Sequence, residues 1–339
     1  MGVLVDGVWQ ARPYETENRA GNFVRAESQF RNWVTADGRP GPTGGRGFKA
    51  EPERYHLYVS LACPWACRAL AYRKLKKLEN LISVSVVEPY MGENGWVFAG
   101  AEGAATPGAT RDSVNGADYL HQVYTAAEPC YTGRVTVPVL WDKTTRTIVS
   151  NESSEIMRML NGAFDAWGDA SVDFYPVPLR ADIDRVNAVV YETVNDGVYK
   201  CGAATTQRAY DTAFDALFLT LDQLEDRLGR QRYLLGSRIT EADWRLFPTL
   251  VRFDAVYYSH FKCNLRRLVD YPNLWGYTRE LYQLPGIAET VNLDHIKRHY
   301  YLSHPRINPT RIVPKGPVVD FTARHDRARL PGQESISAA

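Results

Sequence analysis

The 339-residue chain is 45% hydrophobic and 23% charged, the make-up of a soluble globular protein of about two domains. Its formal net charge of +1 excludes a global field that would draw it to nucleic acid or an anionic membrane, so neither is expected as a partner. Five cysteines, Cys63, Cys67, Cys130, Cys201 and Cys263, are an odd number spread along the chain, which argues against a secreted disulfide framework, and the lack of a C-x-x-C pair argues against a zinc ribbon and a dithiol redox motif.

The first residues lack the basic region and long apolar core of a signal peptide, and no apolar run approaches membrane-spanning length. A cytoplasmic protein is expected. Residues 1–50 read as an irregular extension, because the Gly- and Pro-rich run at 38–47 sustains neither helix nor central strand.

Regular structure is expected from residue 51. The apolar run 55–61 suits a buried strand, 64–78 a helix with a solvated basic face at Arg73, Lys74, Lys76 and Lys77, and 81–87 a second, parallel strand. The polar, Gly-rich stretch 89–133 interrupts this pattern, and its conformation is not legible. Residues 135–141 and 147–150 then alternate like two strands, followed by a helix over 155–164. Beyond a linker at 165–178, strand signals vanish. Helical periodicity runs over 180–195, 207–228, 241–258 and 274–284, with a capping-box-like start at Thr240 to Asp243. Residues 303–339, rich in Pro, Arg and Gly, read as a surface tail.

The most informative feature is Cys63-Pro64-Trp65-Ala66, where a strand delivers a cysteine to a helix start. Proline is tolerated there because the first helical N–H groups have no intrahelical acceptor. Those N–H groups and the helix dipole favour negative charge on sulfur, the form that acts as a nucleophile. The alternative is a buried structural cysteine.

Two further sites gain meaning from the β-α-β, β-β-α order, which is that of the thioredoxin fold. Val137-Pro138 stands at the start of a strand, where thioredoxin-like proteins carry a cis-proline beside the active cysteine. The backbone of Val137 is then free to pair with an extended thiol peptide, unless Pro138 merely marks an edge strand. Glu152-Ser153 opens the next helix, where a helix N-terminus and hydroxyl suit a carboxylate and Glu152 suits an ammonium. Simple helix capping by residues 151–154 is the competing reading.

The chain resembles the glutathionyl-hydroquinone reductases, the xi class of glutathione transferases, from about residue 3 to 318. The resemblance rests on RNWVTADG (31–38), YHLYVSLACPWA (55–66), ENGW (93–96), GRVTVPVLWD (133–142) and VSNES (149–153). It continues through NDGVYK (195–200), LVRFD (250–254), PGIAETVN (285–292) and His295-Ile296-Lys297. It implies a glutathione transferase fold: an α/β thioredoxin-like domain over 51–165, then an all-α domain over 176–302, usually as a dimer. It implies Cys63 as the nucleophile and glutathione as co-substrate, held by Trp96, Arg134, Val137, Glu152 and Ser153, with no metal. Tyr199, Tyr257 and Tyr300 fall in motifs expected to form the hydroquinone site across a domain cleft. Tyr199 is the favoured one among them, also as a catalytic residue, and His295 is a further possibility, with a core or surface histidine the preferred reading.

The sequence departs from the family pattern at Cys67, where histidine is the familiar residue. Cys67 lies one turn, about 6 Å, along the helix from Cys63. A small helix residue is the preferred reading, with a resolving cysteine as the alternative. The expected reaction is reductive deglutathionylation through a Cys63–glutathione mixed disulfide. Alternatives are an omega-like thioltransferase or dehydroascorbate reductase, glutathione conjugation, and a non-enzymatic glutathione-binding module.

Overall fold

The computed structural model describes residues 2–12, 18–100 and 102–332, which group into two compact units. One unit joins residues 1–14, 27–171 and 292–313, and the other joins 15–26, 172–291 and 314–339. The N-terminal extension and C-terminal tail are therefore not separate pieces. Each contributes segments to both units.

In the first unit the extension forms four short strands, β1 (Val3–Val5), β2 (Val8–Gln10), β3 (Trp33–Thr35) and β4 (Gly47–Lys49). The reading of 1–50 as irregular fails here because these three-residue strands pair locally, β1 with β2 and β3 with β4. Such short pairings leave no periodicity to read.

The central sheet is built from β5 (Tyr55–Val59), β6 (Ile82–Val86), β7 (Val139–Asp142) and β8 (Thr147–Ser150), in the order β6-β5-β7-β8. Helix α1 (Pro64–Leu75) makes the crossover between the parallel strands β5 and β6, while β7 runs antiparallel to both β5 and β8. Register is pinned at one end by Arg54, whose guanidinium makes two hydrogen bonds of 2.8 and 2.7 Å to the buried Asp142 carboxylate. On one face Tyr58, Val139, Trp141 and Ile148 enter a core with Trp96, Phe98, Leu120 and Tyr124.

The basic run at the end of α1 is only in part the solvated face expected: Lys77 is exposed, but two of its neighbours are not solvated. Lys76 is fully buried and pairs with Asp165 at 2.9 Å, and Arg73 donates to the Ile82 and Glu79 carbonyls. Long aliphatic stems can lie on apolar surface while the charged heads find carbonyls and a carboxylate. The 89–133 stretch contains α2 (Leu120–Ala127) and is tied to the sheet by Thr110 N–H donating to the Val86 carbonyl. Asp112 accepts from the Tyr58 hydroxyl and from the backbone of Val114, Asn115 and Ala117. Helix α3 (Ser153–Gly162) follows β8, and β7 begins at Val139, after the proline that has no N–H to give a ladder.

The second unit is built of helices: α4 (Arg180–Val190), α5 (Gly197–Ala203), α6 (Gln207–Arg230), α7 (Glu241–Leu250) and α8 (Pro272–Tyr282). The periodic runs 180–195 and 241–258 each end in a π-helical turn, Tyr191–Asn195 and Phe253–Tyr257. The Thr240 capping box is present, with Asp243 accepting from the Thr240 N–H at 2.7 Å. A last helix, α9 (Leu293–Ser303), belongs to the first unit.

Candidate active site

Cys63 is placed by backbone geometry. After β5, a turn closes with the Cys63 N–H donating to the Ser60 carbonyl at 3.1 Å. Cys63 is the extended N-cap of α1 (φ −78°, ψ 124°) and Pro64 opens the first turn. The sulfur is half-buried and lies 3.4 Å from the carbonyl oxygen of Val137. The Val137–Pro138 peptide is cis. The Val137 N–H donates to no protein acceptor among the described residues. A buried residue with an unused donor next to a half-buried sulfur offers an extended thiol peptide one strand-like edge.

Glu152 and Ser153 open α3, and there the capping role is filled by Glu152. Glu152 is the N-cap and accepts from the Ser154 N–H at 3.0 Å and its hydroxyl at 2.8 Å, while its second oxygen accepts from Ser28 at 3.1 Å. Burial alone would raise its pKa, but these hydrogen bonds and the nearby Arg68 hold it below the usual range. The Ser153 hydroxyl is buried and accepts from Arg68 of α1 at 3.4 Å.

Two contributors were not singled out from sequence, Ser28 and Arg68. Ser28 reaches Glu152 because residues 28–32 run alongside β8. Asn151 N–H donates to the Phe30 carbonyl at 3.1 Å, and Asn32 N–H to Val149 at 3.0 Å. No local signal marks so long-range a pairing. Arg68 stands in the Cys63 motif itself, one residue beyond Cys67, and its guanidinium packs 4.5 Å from the Trp65 ring. A cation in the second turn of the cysteine helix was the available clue.

Trp96 is buried in the same core as Val137, against which Cys63 packs, and its indole stacks on His299 at 4.8 Å. Arg134 is half-buried, its carbonyl accepting from the Tyr131 hydroxyl at 3.1 Å. Among the tyrosines, Tyr199 and Tyr257 share the second unit, with ring centroids 6.1 Å apart. The Arg25 guanidinium lies 4.8 Å over the Tyr199 ring and pairs with Asp196. Tyr300 belongs to the first unit, buried on α9 beside His299 and His304. Cys67 is buried one turn beyond Cys63, its N–H donating to the Cys63 carbonyl at 3.0 Å. His295 is buried with its Nε2 2.9 Å from the Pro107 carbonyl.

Residues 62–163 match the family model of the glutathione S-transferase N-terminal domain, and residues 207–280 that of the C-terminal domain. The chain is 58% identical over 327 residues to glutathionyl-hydroquinone reductase YqjG of Escherichia coli strain K12, covering 96% of this chain and 98% of that protein. It is 56% identical over 317 residues to glutathionyl-hydroquinone reductase PcpF of Sphingobium chlorophenolicum, covering 94% and 96%. The glutathione-bound structure of YqjG matches with a TM-score of 0.88 at 55% identity, over 96% of this chain and 99% of that one. A Xi class glutathione transferase from Natrialba magadii matches with a TM-score of 0.88 at 49% identity, over 98% of each chain. With a cysteine-headed glutathione transferase fold and relatives this close along nearly the whole length, the chain belongs to the glutathionyl-hydroquinone reductases, the Xi class of the glutathione S-transferase family.

Proposed function

We propose that this protein removes glutathione from glutathionyl-hydroquinones, with Cys63 as the nucleophile. The observation that carries the mechanism is the half-buried Cys63 sulfur against the Val137 carbonyl, beside a Val137 N–H with no protein acceptor among the described residues. The Cys63 thiolate attacks the glutathione sulfur of the substrate. An S–S bond forms as the carbon–sulfur bond breaks, and the electron pair leaves with the ring carbon, which takes up a proton to give the hydroquinone. Tyr199 or a water it orients supplies that proton. A second glutathione thiolate then attacks the mixed disulfide, giving glutathione disulfide and regenerating Cys63. The balance is one glutathionyl-hydroquinone plus one glutathione to one hydroquinone plus one glutathione disulfide.

In this reading Val137 pairs with the cysteinyl backbone of glutathione. Glu152 and Ser153 meet its α-amino-acid end, Trp96 walls the tripeptide, and Arg134 meets a carboxylate. Tyr199, Tyr257 and Tyr300 bind the hydroquinone through phenolic hydrogen bonds and ring contacts. No metal is invoked. We take the working state to be a cytoplasmic homodimer, which sedimentation and subcellular fractionation test.

Chromatography of a glutathionyl-hydroquinone incubated with protein and glutathione tests the activity. Hydroquinone and glutathione disulfide should appear in equal amounts, and Cys63→Ser should lower the rate by roughly a thousandfold or more. Equal turnover by Cys63→Ser would sink the mechanism. Turnover of simple mixed disulfides or dehydroascorbate with no release of hydroquinone would instead favour an omega-like thioltransferase.

A further inference from the structure

The segment that carries Trp96 has little stiffness of its own. Between residues 89 and 107 it contains Gly92, Gly95, Gly100 and Gly103, the second and last of these at φ +71° and +101°. Glycine leaves such a segment many conformations to lose on ordering. Yet Trp96 is buried and holds one orientation against a ring from a helix about 200 residues away.

That helix is α9. Three of its residues, His295, His299 and Ser303, recur at a spacing of four and so share one face. Each fastens a different point of the segment. His299 Nδ1 lies 2.9 Å from the Pro89 carbonyl. A carbonyl oxygen only accepts, so Nδ1 carries the proton in that contact. The Ser303 hydroxyl accepts the Met91 N–H at 3.0 Å. His295 Nε2 meets the Pro107 carbonyl at 2.9 Å, and by the same logic is the protonated ring nitrogen. Between these anchors the His299 imidazole stacks on the Trp96 indole, centroids 4.8 Å apart and planes 22° apart.

The inner end of the clamp also approaches the nucleophile's turn. A Cβ placed on Gly108, which sits at φ +101°, would lie 3.3 Å from both the His295 ring and Leu61, two residues before Cys63. His295 is thus engaged in fixing backbone, which is a role distinct from proton donation to a hydroquinone.

We propose that His299 is a positioning residue for glutathione: it holds the Trp96 indole in place, with His295 and Ser303 anchoring the ends of the same segment. The proposal rests on the reading of Trp96 as a wall of the glutathione site. His299 would act on the binding of glutathione and leave the chemistry at Cys63 largely untouched. The ring, and not only the hydrogen bond to Pro89, carries the effect, because the stack is what touches Trp96.

Steady-state kinetics of five variants of the full chain test this. His299→Ala and His299→Asn should raise KM for glutathione about tenfold, with kcat and the rate of Cys63 alkylation by iodoacetamide within about threefold. His299→Phe, which keeps a flat ring, should restore KM to within about threefold of the parent. In a Trp96→Leu background, His299→Ala should add almost nothing, since the partner it orients is gone. Should His299→Ala not fold, His299→Asn carries the comparison, because its amide can still donate to Pro89. A normal KM in His299→Asn, failure of His299→Phe to rescue, or an undiminished effect in the Trp96→Leu background overturns the role of His299. If Trp96→Leu alone leaves KM unchanged, the Trp96 reading falls and takes this proposal with it, while the mechanism at Cys63 stands on its own test.

Discussion

The Cys63 sulfur lies 3.4 Å from the carbonyl oxygen of Val137, a residue 74 positions further along the chain. A thiol can donate to that oxygen, whereas a thiolate is repelled by its lone pairs. Ionisation therefore favours turning the sulfur away from that carbonyl, toward the positive end of the α1 dipole. The contact ties the proposed nucleophile to the backbone edge on which the thiol tripeptide is proposed to lie.

Thiol labelling should follow burial. Iodoacetamide at neutral pH is expected to modify Cys63 and the exposed Cys130, and to spare Cys67, Cys201 and Cys263, which are buried. Burial, and then the neighbouring Cys201, push the Cys263 thiol well up, which lowers its thiolate fraction further. Peptide mass mapping over time reads this directly. Modification of Cys263 ahead of Cys63 would contradict it.

Cys67→Ser should leave turnover within about twofold of the parent. The Cys67 N–H to Cys63 carbonyl bond holds both residues in one helical turn. Side chains so placed have Cβ atoms about 5–6 Å apart, beyond the ~3.8 Å that a disulfide requires. A large fall in turnover, or a 63–67 disulfide detected after a single turnover, would restore the resolving role.

Glu152→Ala should weaken glutathione binding and also remove the cap of α3. Loss of the cap is expected to destabilise the protein by about 1 kcal/mol. Loss of the carboxylate should raise KM for glutathione about tenfold, from one charge-assisted hydrogen bond. Ser28→Ala, which removes one donor to Glu152, should act in the same direction and more weakly. Glutathione titration by calorimetry beside urea unfolding separates the two effects. An unchanged affinity in Glu152→Ala would leave only the capping role.

Acid should destabilise the first unit through His56. Burial lowers this imidazole to about 4, despite the opposing influence of Asp112. The unfolded chain, with an ordinary histidine near 6.5, then binds more protons below that pH. Stability is complete above about pH 6.5 and is lost as pH falls toward about 4, by up to ~3 kcal/mol. Urea unfolding at steps across this window checks the slope, and His56→Asn should flatten it. A slope unchanged in that variant would assign the loss to other groups.

Asp142→Asn should cost about 3 kcal/mol, because it removes the buried carboxylate that pairs with Arg54 and leaves that guanidinium only the exposed-side Glu51 carboxylate, 3.0 Å away. Burial opposes ionisation of Asp142. The hydrogen bonds from Arg54, Thr145 and the Thr144 N–H nonetheless hold it below the usual carboxylate range. Its contribution is present above about pH 4 and disappears as pH falls through that lower value. Urea midpoints of the variant at pH 7 measure the loss. A change under about 0.5 kcal/mol would mean that Arg54 finds other partners.

What the sequence by itself determined is local. A buried strand ending at Cys63-Pro64, a proline at 138 ahead of the next strand, a Glu-Ser pair at a helix start and a capping box at Thr240 each rest on neighbours within a few residues. Their periodicities and cap chemistry survive in the fold with shifts of a few residues at the ends. The same local view misjudged Lys76, because whether a cation is solvated depends on what lies over its stem. It also missed the order in 1–50 and 89–133, where short pairings, isolated bridges and Asp112-centred hydrogen bonds replace long elements.

The order of elements already set Val137-Pro138 beside Cys63, but only the tertiary structure decided that Ser28 meets Glu152, Arg68 meets Ser153 and Trp96 meets His299. These three contacts close chain loops of 85 to more than 200 residues. No side-chain period or turn signal encodes such a closure. It emerges from the summed burial of apolar surface and the need to satisfy each buried polar group, conditions defined over the whole fold.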